Sequence, residues 1–223
     1  MGSVIRTSSV ILAAALFLPG VAAGTPLTVA GFTFSAGEEA FADDAVVVSG
    51  TVTGATAEQI RSTLAGSNLG DSIRVITPDI AVIEVSFSDN AIVNGSGTDL
   101  VIFELSGSGT PVGFADTNER FEISVLGSAG FSPFVEVVPV NTGFLAPHDA
   151  TLSAYVVEID LATFGFEAGE VTDRVQIRLV DHLETRSADP TALGALNSVP
   201  EPSTGLLLAL GLLSLTAVRR RLH

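Results

Sequence analysis

Ala81-Val82-Ile83-Glu84-Val85-Ser86-Phe87-Ser88, followed after a polar interval by Asp99-Leu100-Val101-Ile102-Phe103-Glu104-Leu105, decides the fold class. In the first stretch Ile83, Val85 and Phe87 alternate with Val82, Glu84 and Ser86, the two-residue period of a strand with one face in a core. In the second, Val101 and Phe103 occupy one face and Leu100 and Ile102 the other, which suits a central strand covered on both sides. Glu104 shares the second face, an unusual place for a carboxyl group. The interval Asp89–Thr98 reads as a polar loop, because Asn90, Asn94, Gly95 and Gly97 are turn formers.

The same pattern extends both ways. Leu27–Phe34 and Ala45–Thr53 read as strands, with an acidic turn at Glu38–Asp44 containing Phe41 between them. Thr56 and Gln59 have capping-box spacing, Ala57–Ala65 is rich in helix formers, and Gly66 fits a helix end, so one short helix is predicted. Ser72–Thr77, Arg120–Leu126, Phe134–Val140, Ser153–Asp160 and Arg174–Val180 read as further strands, the last with Val175, Ile177 and Leu179 alternating against Arg174, Gln176 and Arg178. Phe164–Gly169 reads as a turn, and Thr185–Asn197 as polar and small. Many short strands, Gly-rich turns and one helix predict a mainly β protein, a β-sandwich or jelly-roll-like domain.

Both ends read as something other than this domain. Arg6, the apolar run Val10–Leu18, the helix-breaking Pro19-Gly20 and the small residues Val21-Ala22-Ala23 make a secretory signal peptide over 1–23, with cleavage by signal peptidase between Ala23 and Gly24. At the other end Val199-Pro200-Glu201-Pro202 precedes an uncharged apolar block, Ser203–Val218, which ends at Arg219-Arg220-Arg221. The block is somewhat short of the roughly 20 residues a spanning helix needs, but snorkelling arginine stems extend it. Seven leucines between Leu206 and Leu215 cover every face, so no polar side is left for water. The arginines mark the cytoplasmic side. Pro200 and Pro202 keep the tripeptide out of a regular helix, and Glu201 keeps it out of the hydrocarbon. The mature domain is then 24–198.

The order of tripeptide, apolar helix and basic end resembles the PEP-CTERM sorting signal of Gram-negative bacteria. Pro200, Glu201 and Pro202 match the motif, and Arg219, Arg220 and Arg221 match its basic end. The resemblance implies processing by exosortase, a membrane protease-transpeptidase. It also implies an inner-membrane intermediate and a final place on the cell surface or in the exopolysaccharide matrix. A second, looser resemblance runs through Phe87–Glu104, Phe134-Val135-Glu136-Val137 and Val175–Asp181, which look like strands of secreted bacterial surface domains. Val138 and Pro139 depart from that pattern, where a serine and an Asp-Gly turn are expected.

Composition narrows the function of the mature domain. The chain carries a net charge of −15. Removing the two ends makes the domain more acidic still, since Arg6 and Arg219–Arg221 leave and Glu201 is the only acid lost. Such a surface repels phosphates and excludes a nucleic-acid partner. Cysteine is absent, so no disulfide supports the exported domain.

Three kinds of chemistry have candidate residues. Asp89, Asn94 and Asp99 bring oxygen donors to one loop, with Asn90 beside them and Glu104 and Asp181 as further candidates. Calcium takes six to eight such ligands; the spacing is not that of an EF-hand, and turn chemistry explains the same residues. Glu158 and Asp160, two apart on a strand, could form the carboxylate pair of a glycoside hydrolase. Asp181 and His182 point to opposite faces as neighbours on a strand, and His148 beside Asp149 has no partner pattern. Ser96 and Ser108 sit in Gly-Ser-Gly turns, and no nucleophile elbow or phosphate loop is present. With no Trp, one Tyr (Tyr155) and Phe at core-like positions, an aromatic sugar platform is not expected. The expected function is therefore a non-enzymatic exported surface or matrix protein with no catalytic residues and no obligatory cofactor. The alternatives are a calcium-dependent carbohydrate- or cell-binding module and a glycoside hydrolase-like enzyme.

Overall fold

A computed structural model of the protein describes residues 24–52, 55–70, 80–107, 110–116, 119–147, 149–180 and 188–200. The signal peptide, the strand expected at Ser72–Thr77, Ser108, His148, Asp181, His182, Glu201, Pro202, the apolar tail and its arginines lie outside them. The strands are β1 (Leu27–Val29), β2 (Phe32–Phe34), β3 (Asp44–Gly50), β4 (Ile80–Ser86), β5 (Asn90–Val93), β6 (Leu100–Gly107), β7 (Phe121–Gly127) and β8 (Gly130–Phe131). They continue as β9 (Val135–Val137), β10 (Val140–Leu145), β11 (Leu152–Ile159), β12 (Val171–Thr172), β13 (Arg174–Val180), β14 (Pro190–Ala195) and β15 (Ser198–Pro200). The helix α1 spans Ala57–Leu64 and carries the full capping box between Thr56 and Gln59.

Two antiparallel sheets face each other. One runs β3-β4-β13-β7-β8, with β9 also pairing β7; the other runs β10-β11-β6-β14. Ile83, Val85, Ile123, Val125, Val175, Ile177 and Leu179 of the first meet Leu100, Ile102, Val157, Ile159 and Leu193 of the second in one buried core. The mainly β sandwich read from the sequence is the fold of the chain. Outside the first sheet the alternate residues of β13 form the exposed ladder that the alternation requires: Arg174 and Gln176 bond Glu84, and Arg178 pairs with Glu122 and lies over the Phe134 ring. Exposed pairs of this kind contribute at most about 1 kcal/mol each.

The Val101–Phe103 face of β6, turned away from that core, has its own cover. Val101 and Phe103 pack with Ala154, Val156 and Ala192 under Phe34 and Phe41, which come from β2 and the end of a one-turn 3-10 helix, Gly37–Ala40. Thus β6 is the middle of three layers. Leu27–Phe34 is not one strand but a tight hairpin: Ala30 at φ 45° and Gly31 at φ 90° make the two left-handed residues that such a turn needs. Phe134–Val140 also divides. Val135–Val137 stays on the first sheet, and Val140–Leu145 joins the second, with the crossing at Val138-Pro139. Pro139 cannot donate to either ladder, so the switch falls there.

The largest departure is β14, which occupies a stretch that reads as merely polar and small. All six of its residues are buried, between the inter-sheet core and the Phe34–Phe41 cover. Small residues are what that space admits. A Cβ on Gly194 would stand 2.5 Å from Phe34 Cε1 and 3.1 Å from Phe41 Cε1. Gly194→Ala is therefore expected to cost about 1–2 kcal/mol through overpacking, read as a lowered urea midpoint at unchanged slope. A midpoint equal to that of the unaltered protein would show that the Phe34 ring yields freely.

Candidate functional site

The sorting tail leaves the domain from a small third sheet, β12-β5-β15. Its centre, β5, lies inside the stretch that reads as a loop, because the short apolar run Ala91-Ile92-Val93 finds partners that are distant in sequence. On one side Val171 and Thr172 of β12 pair with Val93 and Ile92. On the other, Ser198, Val199 and Pro200 pair with Ile92, Ala91 and Asn90. The first residue of the Pro-Glu-Pro tripeptide is thus the last residue of a strand of the folded domain. Ser198 to Pro200 are held in the sheet, so this strand runs across the boundary expected after Ser198.

The three residues read as calcium ligands are engaged separately. Asp99 is fully buried. Its Oδ1 accepts from the Gly95 N–H and from Asn197 Nδ2, both at 2.8 Å, and its Oδ2 accepts from the Leu161 N–H at 2.9 Å. Asn94 is also buried and fixes the loop opposite: Nδ2 donates to the Phe166 carbonyl at 2.7 Å, and its backbone exchanges bonds with Glu170 and Gly169. Asp89 is exposed and faces the acids of the neighbouring turn. Desolvation, followed by the nearby Asp43 and Glu39 carboxylates, raises its pKa above the ordinary aspartate value. Between them Asn90 is buried and donates Nδ2 to the Glu39 carbonyl. Among the described residues no group of three or more His, Asp or Glu side chains is placed to hold a metal ion.

The other candidates also resolve into local roles. Asp160 ends up just past β11, where its Oδ1 accepts from the Ala162 N–H and caps a one-turn 3-10 helix, Leu161–Phe164. Glu158 accepts from Thr98 Oγ1 at 2.8 Å. Asp149 closes a turn through the Thr151 N–H and hydroxyl, which hold its carboxyl below the usual range. Tyr155 is a core residue, fully buried, with its hydroxyl paired to Thr110. The Phe residues are not all core. Phe131, Phe164 and Phe166 are half-buried and line an open cleft of about 620 Å³ between the β7–β8 turn and the segment after the 3-10 helix. That cleft is of ligand size and carries one carboxylate, Glu170, where glycoside hydrolysis requires two. Only the folded arrangement gathers these rings, so their isolated positions in the sequence give no signal.

A second group of acids forms one end of the inter-sheet core. Glu104, Glu119, Asp116 and Asp189 are all buried. Glu104 hydrogen-bonds the Glu119 carboxyl and accepts from the Asp189 N–H, and Ser106 bonds Asp116 Oδ2. Burial first, then Glu119, raises the Glu104 pKa well above the ordinary glutamate value. Glu104 is visible in the sequence as an oddity; its partners, brought in from separate segments, are not.

Residues 198–221 match the family model of the PEP-CTERM protein-sorting motif. The chain therefore carries the signal of an exported protein that exosortase sorts. A comparison with curated proteins finds no match. Among solved structures, the C-terminal domain of a chitobiase from Bacteroides fragilis aligns at 10% identity and a TM-score of 0.37, over 70% of this chain and 95% of that one. Among the described residues no helix is long and apolar enough to cross a membrane; the expected span, 203–218, lies beyond them.

Proposed function

We propose that the protein is a non-enzymatic component of the cell surface or exopolysaccharide matrix, released there by exosortase after export. The ordered match at 198–221 carries this reading. Signal peptidase would cut after Ala23, leaving the domain outside and the chain held in the inner membrane by Ser203–Val218, with Arg219–Arg221 on the cytoplasmic side. Exosortase would then cut near Pro200-Glu201-Pro202 and free the acidic domain from its apolar tail. The domain's acidic composition supports a structural or interaction role. Mass spectrometry of the protein from its native host tests the reading. The expected chain starts at Gly24 and ends near Pro200–Pro202. A chain that still ends at His223 would instead identify an uncleaved membrane anchor.

A further inference from the structure

We propose that β15 must detach from β5 before the tail can be processed, so that the folded domain itself controls exposure of the sorting motif. This rests on the processing reading above and adds a step to it. The sorting match begins at Ser198, the residue at which β15 begins. Pro200 belongs at once to the motif and to the strand, opposite Asn90. Two residues, Glu201 and Pro202, separate it from the apolar block, so the sequence provides no spacer between the sheet and the membrane-held segment. A protease that binds its substrate as an extended strand uses the same backbone groups that a sheet neighbour uses. While β5 holds Ser198–Pro200, the Val199 N–H and carbonyl are turned onto β5, so that edge of the strand is closed to a protease and the motif is fixed against the domain.

The strand is built to hold and to let go. Among the described residues it lies at the edge of its sheet, with β5 as its one neighbour. The Val93 N–H donates to the Asn197 carbonyl at 2.9 Å, which makes Val93 and Asn197 a hydrogen-bonded pair. Antiparallel alternation then places Pro200 and Asn90 in a non-bonded pair. The proline's missing N–H would have pointed away from β5, so the motif joins the ladder without breaking it. A three-residue edge strand whose Val199 is 45% exposed belongs to the least stable part of a fold. Just upstream, Asn197 Nδ2 is tied to buried Asp99 Oδ1 at 2.8 Å. Release therefore stops at Asn197 and frees residues 198–200, adding about 10 Å of reach between domain and motif.

Two variants of the full chain test the step in a Gram-negative host that carries exosortase, with the half-time of tail removal followed by pulse-chase. The first inserts Gly-Ser-Gly-Ser between Val199 and Pro200, which separates the motif from the sheet and leaves every residue of the domain before Pro200 in place. The second pairs Ala91→Cys with Val199→Cys, directly opposed in register, in a protein that has no other cysteine. The exported compartment oxidises such a pair. The spacer is expected to shorten the half-time several-fold and the disulfide to lengthen it at least ten-fold, with each single cysteine behaving as the unaltered protein. Half-times unchanged by the spacer and by a disulfide verified on non-reducing gels would overturn the release step alone. An unaltered protein that keeps its tail throughout would overturn the processing reading itself.

Discussion

Asp99→Ala is expected to lower the stability of the domain by about 4 kcal/mol and its melting temperature by roughly 10 °C. The carboxylate is fully buried and accepts three hydrogen bonds, from Gly95, Asn197 and Leu161, which lie in three different segments. Alanine would leave the Leu161 N–H buried and unpaired and take the acceptor from the half-buried Asn197 amide and the Gly95 N–H, and bonds to a charged acceptor contribute about 1.5–3 kcal/mol each. Asp99→Asn should do less damage, because its amide oxygen can still accept from Gly95 and Asn197 while its NH2 group is turned toward the Leu161 N–H, itself a donor. The tie to Asn197 is lost in Asp99→Ala, so the amides of Ser198 and Val199 should exchange faster with solvent in that variant. Calcium bears directly on the same residue. Both Asp99 oxygens are committed to N–H groups, so calcium or chelator should leave the melting curve of the unaltered domain in place. A calcium-dependent rise in melting temperature that disappears in Asp99→Ala would instead make Asp99 a ligand.

Asp99 also shows how far the sequence could be read. Its presence in a run of Asn, Asp and Gly is evident, and that run suits either a calcium loop or a turn. What distinguishes them is the identity of the groups that reach the carboxylate, and Leu161 and Asn197 are 62 and 98 residues away. Features with a local cause read correctly. The period of Ala81–Ser88, the two apolar faces of β6 and the Thr56–Gln59 capping box each follow from residues a few places apart. Features whose cause is distant did not. The small residues of β14 make sense only beneath Phe34 and Phe41, and β5 is a strand only because β12 and β15 pair with it. The sorting tripeptide was legible as a motif, since position and order define it. That Pro200 also completes a sheet was not, because nothing near a proline announces a partner more than a hundred residues earlier.

Glu104→Gln is expected to make the domain less sensitive to alkali and more stable there. Glu104 sits on the inner face of β6, flanked in register by Tyr155 of β11 and Pro190 of β14. Glu119 and Asp189 face it, and Ser106, two residues further along β6, bonds buried Asp116. Two carboxyl groups can hydrogen-bond only if one keeps a proton, and burial assigns that proton to Glu104. In the unfolded chain Glu104 titrates near the ordinary glutamate value of about 4.3; in the folded chain it titrates well above that. The folded state therefore binds the extra proton, and stability falls as pH rises between the two values. The contribution is complete below the unfolded pKa and lost through the folded one. Glutamine keeps the shape and offers Glu119 an N–H where the protonated acid offers O–H, but has no proton to lose. Melting curves between pH 4 and pH 9 should separate progressively, with the variant about 3 kcal/mol more stable at the alkaline end, the order of the penalty for a buried unpaired polar group. Parallel curves across that range would show that Glu104 does not hold the proton.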